Sequence, residues 1–279
     1  DAGGSLVERC DFIGNSGYGA GAALLSGTEV EIIHSRFIGN HSLSNGGAIS
    51  SEWDYSYYHD DDGEPDTAAL LATNCLFLNN RAHANYADLN MDAGFQTSLI
   101  CTTFSGGTSR DGGSIFLSGN SEIVNSVIGG GVTLSGDATL AASHNCHQAD
   151  WSAYGTGNIT SDPRLTADGC LTAASPCIDA GTSTGAPNID IDGLPRPAGS
   201  APDMWYQCVP LPAYVGLPGC RQPLQRYVHG VLARTEEGTG ELRMLARGLL
   251  GTVRLWSGDV AGAVPVLQDV AGEVRWRDY

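Results

Sequence analysis

Five segments of the chain align on one apolar anchor. VERCDFIGN (7–15), IHSRFIGN (33–40), TNCLFLNN (73–80), CTTFSGG (101–107) and VNSVIGGG (124–131) superimpose on Phe12, Phe37, Phe77, Phe104 and Ile128, at spacings of 25, 40, 27 and 24 residues. Removing residues 52–66 as an insertion of 15 turns the interval of 40 into 25 and makes the period regular. A repeat of this length is one structural unit copied along the chain, and it constrains the fold more than any local propensity does.

Other columns share the register. Five positions before each anchor stand Val7, Ile32, Ala72, Leu99 and Ile123, all apolar. Three positions after it stand Asn15, Asn40, Asn80, Gly107 and Gly131, residue types that tolerate a left-handed backbone at a tight turn. A further column reads Leu24, Ile49, Leu89 and Ile115, preceded by GAA, GGA, YAD and GGS. Each repeat thus holds about three short strands joined by small-residue turns, and none holds a helix-length amphipathic stretch. Coils of this kind bury a recurring inward residue by stacking about 4.8 Å apart. The fold expected is all-β: a right-handed parallel β-helix of about six coils, with TLAASHNC (139–146) as the sixth. DAGGSLVERC reads as the middle of a coil, with no capping helix ahead of it.

Beyond the coils come NITSDPRL, SPCIDAGT, DIDGLPRP and PDMWYQ, in that order, between residues 158 and 207. Over residues 1–207 the chain resembles secreted bacterial right-handed β-helix repeat proteins that end in a choice-of-anchor Q segment. Those read G-N-I-x-x-D-P-x-F, S-P-A-I-D-A-G, D-x-D-G-x-P-R-P and D-I-G-A-Y-E. Leu165 stands where the family has an aromatic residue, and Met204, Trp205, Tyr206 and Gln207 depart from the last motif. The resemblance implies export and a place at the cell surface. ELRMLARG, GTVRLWSG and EVRWRDY, separated by Gly-containing turns, add a small antiparallel β-domain, without the sorting motif or apolar tail expected of an anchor. Three parts follow: coils at 1–157 with a loop at 52–66, a closing segment at 158–220, and the small domain at 221–279.

Charge and cysteine usage divide the chain near Cys220. The whole carries a formal −17, with 14 basic residues that are all Arg. Residues 1–220 hold 24 acids and six Arg, whereas 221–279 hold seven acids and eight Arg. So acidic a body repels phosphate backbones and anionic membrane surfaces, which excludes nucleic acid as a partner. No stretch approaches the ~18 apolar residues of a transmembrane segment. All eight Cys precede the division, without CxxC pairs, favouring disulfides and an oxidising compartment. Eight thiols allow 105 pairings; Cys170 with Cys177 and Cys208 with Cys220 close the shortest loops.

The insertion EWDYSYYHDDDGEPD carries the densest chemistry. Trp53, Tyr55, Tyr57 and Tyr58 offer flat apolar area with polar tips, suited to stacking on sugar rings or to pinning the loop against the coils. Asp60, Asp62, Glu64 and Asp66 around Gly63 place alternate oxygen donors as Ca2+ asks, though no Glu closes the loop at the twelfth position; the alternative is a solvated acidic turn. Asp190 and Asp192 read as an Asp-Gly turn, with Arg196 available to a carboxylate. His34, His41, His83, His144 and His147 are scattered and read as surface residues. The function expected is structural or adhesive, with the lateral faces and aromatic loop presented to a glycan or surface protein. The alternatives are a polysaccharide lyase or glycoside hydrolase, and a subunit that self-associates head to tail in a filament.

Overall fold

The computed structural model describes residues 4–205, apart from 27–28, 53–68, 93, 173, 192–195 and 198–199. The chain divides into residues 1–208 and 209–279; the expected domain at 221–279 lies outside the described residues. Within them the fold is all-β, four parallel sheets stacked as a parallel β-helix of about six coils.

The first sheet holds six strands: β1 (Ser5–Glu8), β5 (Glu29–Ile33), β9 (Ala69–Thr73), β13 (Gln96–Ile100), β16 (Ser121–Val124) and β19 (Leu140–Ser143). The second holds β2 (Asp11–Ile13), β6 (Arg36–Ile38), β10 (Leu76–Leu78), β14 (Thr103–Ser105), β17 (Val127–Ile128) and β20 (Cys146–His147). A short third sheet joins β3 (Ser16–Gly17), β7 (His41–Ser42) and β11 (Arg81–Ala82). The fourth joins β4 (Ala23–Ser26), β8 (Ile49–Glu52), β12 (Leu89–Met91), β15 (Gly113–Leu117) and β18 (Gly131–Leu134). Sixteen residues separate β8 from β9, against two between β4 and β5, so the insertion sits where the period requires it.

The anchors are in register. Phe12 pairs with Phe37, Phe37 with Phe77, Phe77 with Phe104 and Phe104 with Ile128. The four rings stack at 4.6–4.7 Å between centroids, within 12° of parallel, because strand spacing and ring-stacking distance coincide. Val30, Ile32, Leu70, Ala72, Leu99 and Ile123 bury the facing wall of the same core, alternating with outward residues along each strand.

Two columns differ from expectation. In the fourth sheet Ala23, not Leu24, pairs with Ile49, ahead of Leu89 and Ile115. The turn before β4 is one residue shorter than that before β8, and a one-residue slip exchanges the two faces of a strand. Nor do Asn15, Asn40 and Asn80 take the left-handed positions. Those fall one residue earlier, at Gly14, Gly39, Asn79 and Gly106 (φ 54–69°). The three Asn side chains instead form a ladder between coils: Asn15 Nδ2 donates to Asn40 Oδ1 at 3.1 Å, and Asn40 Nδ2 to Asn80 Oδ1 at 3.0 Å. At the next rung the column holds Gly107. Asp88 fills the vacated space, and its Oδ1 accepts from Asn80 Nδ2 at 2.9 Å.

Between the first two sheets the chain turns at Arg9, His34, Asn74, Cys101, Asn125 and His144, all left-handed at φ 50–55°, and then at Gly157. Each backbone N–H of the six still reaches a carbonyl of the next coil, which holds them in a conformation L-residues seldom adopt. One residue on runs a polar column in which Ser126 N–H donates to Asn145 Oδ1 at 2.8 Å and Asn145 N–H to Asn158 Oδ1 at 3.0 Å. Gly157, Asn158 and Ile159 therefore continue three columns, and the GNI that opens the closing motifs is itself a partial rung, with Ile159 bridged to Cys146.

Candidate functional site

The row of left-handed turns docks the closing segment. Asn74 Nδ2 donates to Ile189 O at 2.8 Å, and Asn74 Oδ1 accepts from Arg196 Nη1 at 2.8 Å. Arg196 Nη2 donates to Trp205 O at 3.1 Å, and Trp205 Nε1 to Gly169 O at 2.9 Å. Two coils on, Asn125 exchanges a pair of hydrogen bonds with the backbone of Thr182 at 2.7 and 2.8 Å. The Asp residues of the motifs complete the lock. Asp179 accepts from Ser200 N–H and Ala201 N–H, while Asp203 Oδ1 accepts from Asp179 N–H at 2.7 Å. Arg196 thus serves an amide and a carbonyl, a role that its expectation as a carboxylate partner missed. Asp190 is fully buried, and Asp192 lies outside the described residues.

Two lateral surfaces remain open. A groove of about 580 Å3 follows the outward side of the first sheet near the starts of its strands. Gln96, Ser98, Asn120, Glu122 and Thr139 give it amide, hydroxyl and carboxylate groups, and Leu71 and Leu140 give it apolar floor. A second hollow of about 460 Å3 lies at the third sheet, between Arg81, His83 and Arg110. All three side chains are exposed, a basic spot on an acidic body. Nothing in the repeat selects residue type at outward positions, so neither surface was legible in the sequence.

The acids with displaced pKa values lie inside the scaffold. Burial raises Asp88 from 3.8 to about 6, against its hydrogen bonds from Ser114 and Asn80. Burial also raises Asp203 to about 6, with the Asp179 charge adding to it. On the outward column of the first sheet, Glu31 and Glu122 are separated by Leu71 and Ser98, three strand spacings. That is ~14 Å at the usual interstrand distance, wider than the roughly 5–9.5 Å between the carboxyls of a glycosidase pair.

Trp53, Tyr55, Tyr57 and Tyr58, the acids at 60, 62, 64 and 66, Cys208 and Cys220 all lie outside the described residues. Among the described residues no three His, Cys, Asp or Glu gather as a metal would require. The expected bridge between Cys170 and Cys177 is not formed: Cys170 is disulfide-bonded, whereas Cys177 is a free, buried thiol. Proximity in sequence favoured the pair, but Cys177 is turned toward Cys146. Histidine exposure also differs from expectation. His147 is buried and stacks on Trp151 at 4.2 Å between centroids, and burial lowers its pKa. His34 accepts or donates at Nε2 to Asn74 Nδ2 across 2.9 Å, and burial, then the Arg9 charge, lowers its pKa.

Residues 34–52 match the model of the Chlamydia polymorphic membrane protein repeat. They contain β6, β7 and β8 and with them Phe37 of the ring stack, Asn40 of the ladder and Gly47, where an added Cβ would overlap the Ala87 carbonyl. The chain is a parallel β-helix repeat protein. No curated protein and no solved structure matches it.

Proposed function

We propose that this chain is an exported β-helix protein displayed at a bacterial cell surface, with a structural or adhesive role in which the first-sheet groove holds a neutral glycan. The groove is the observation that carries this reading. Its amides and hydroxyls match the hydrogen-bonding needs of sugar hydroxyls, and it runs across successive coils as an extended chain would. Residue 68 is followed directly by Ala69, which lines the groove, so the loop holding Trp53, Tyr55, Tyr57 and Tyr58 enters the site's own strand. Stacking by those rings, with Ca2+ held by Asp60, Asp62, Glu64 and Asp66, would complete the site. The matched repeat is by name one of a membrane protein, and the closing motifs resemble those of surface-anchored proteins.

A screen of neutral and anionic glycans tests this, reading binding and reducing-end release with and without EDTA. Binding of a neutral glycan, reduced at least tenfold by Gln96→Ala with Asn120→Ala and unaffected by Arg81→Ala with Arg110→Ala, supports the groove. Release of reducing ends would replace adhesion with a lyase or hydrolase. Binding lost only in the arginine variants would move the site to the basic hollow.

A further inference from the structure

Cys146 and Cys177 come from different parts of the chain and meet inside it. Cys146 lies in β20, on the last full coil, and Cys177 lies in the closing segment. They are 1% and 0% exposed, and their thiols hydrogen-bond each other. Both are held against the same stretch of chain. Cys146 Sγ donates to Ser161 O at 3.0 Å. Ser175 Oγ donates to Pro163 O at 2.6 Å and accepts the Cys177 N–H at 3.2 Å.

We propose that Cys146 and Cys177 oxidise to a disulfide that staples the last full coil to the closing segment. The oxidant is a small-molecule or protein disulfide. The Cys177 thiolate attacks one of its sulfurs, forming a mixed disulfide and expelling one thiolate. Cys146 then gives up its proton and attacks the Cys177 sulfur, expelling the second. Two protein thiols and one disulfide thus become one protein disulfide and two thiols. The hydrogen bond from Cys146 lowers the pKa of Cys177 and raises that of Cys146, which makes Cys177 the first nucleophile. Because both are buried, exchange takes place before the segment closes over β20.

This pair differs from the other buried thiols in kind. Cys75 donates to Ile32 O and Thr73 O, both at 3.4 Å, and burial pushes its pKa to about 12, so it behaves as a small core residue. Cys10 stands in its column two rungs away, ~10 Å, beyond the ~7 Å between Cα atoms that a disulfide spans.

The test refolds the full chain in a glutathione redox buffer, alkylates it under denaturing conditions and maps unreduced peptides by mass spectrometry. The expected result is one linked pair containing Cys146 and Cys177, lighter by two hydrogens than the two thiol peptides, with Cys75 alkylated. Cys146→Ser abolishes the linked pair and frees Cys177 for alkylation. Its melting midpoint falls by several degrees relative to the oxidised protein. Recovery of both cysteines as alkylated thiols from folded wild-type protein, or of Cys146 linked elsewhere, overturns the proposal. The wild-type map decides even if the variant does not fold.

Discussion

Asn40 and Asn80 occupy the same place on successive coils and are joined amide to amide. Asn80 Oδ1 accepts the Asn40 backbone N–H at 2.9 Å and its Nδ2 at 3.0 Å. Asn80 Nδ2 in turn donates to Phe37 O and to Asp88 Oδ1, both at 2.9 Å. All the groups involved lie where water cannot replace a lost partner. Asn80→Ala should therefore cost about 3 kcal/mol, more than a single exposed hydrogen bond, because several buried polar groups lose partners together. Urea unfolding at neutral pH measures it. A loss below about 1 kcal/mol would mean that the ladder is incidental.

Gly47 and Gly94 should respond very differently to alanine. At Gly47 an added Cβ overlaps the Ala87 carbonyl and lies 2.6–2.7 Å from the Arg81 carbonyl group, all backbone of the adjacent coil. At Gly94 it meets nothing within 4 Å, and the cost is only that of φ +76°. Gly47→Ala is expected to lose about 3 kcal/mol or more, and Gly94→Ala about 1 kcal/mol. Equal melting shifts for the two would contradict the close stacking of the coils at β8 and β12.

Asp88 and Asp203 make mild acid stabilising. Both are raised from 3.8 to about 6, so between those values the folded chain binds more protons than the unfolded chain. Their contribution is fully present below pH ~4 and is lost as pH rises through about 6. A tenfold change in proton affinity corresponds to about 1.4 kcal/mol, so each group contributes up to about 3 kcal/mol. Urea midpoints should rise from pH 7 to pH 4.5, and Asp88→Asn should remove roughly half of the rise. An Asp88→Asn profile parallel to wild type would show that Asp88 holds its proton equally well in the folded and unfolded chains.

The columns that were legible in the sequence are those in which burial imposes one residue type. Phe12, Phe37, Phe77 and Phe104 repeat because each ring must fill the same slot against the next. The six left-handed turns were not legible: Arg9, His34, Asn74, Cys101, Asn125 and His144 share a backbone conformation enforced by interstrand hydrogen bonds, and no side-chain type. Asn15, Asn40 and Asn80 were visible as a column but misread, since asparagine suits both a left-handed turn and an amide ladder. The groove was hidden for a further reason. Gln96, Asn120 and Glu122 meet only through strand register, and the insertion disguises that register in the chain.

Arg196 holds the closing segment by two contacts, and its removal should release that segment without dissolving the coils. Only 8% exposed, its guanidinium bridges Asn74 on the third coil and the Trp205 carbonyl. Arg196→Met leaves an amide oxygen and a carbonyl buried without this donor, about 2–3 kcal/mol. Local opening then becomes roughly 30–100 times more frequent. In reducing buffer, where no covalent link opposes release, limited proteolysis should cut within 178–205 faster by that factor while far-UV circular dichroism stays β-rich. Lysine reaches one acceptor at a time, so Arg196→Lys should fall between. Asn74→Ala should share the phenotype, and the double variant should add little, because both remove one shared contact. Proteolysis of Arg196→Met at the wild-type rate would mean that the Asp179 and Asp203 carboxylates suffice to hold the segment.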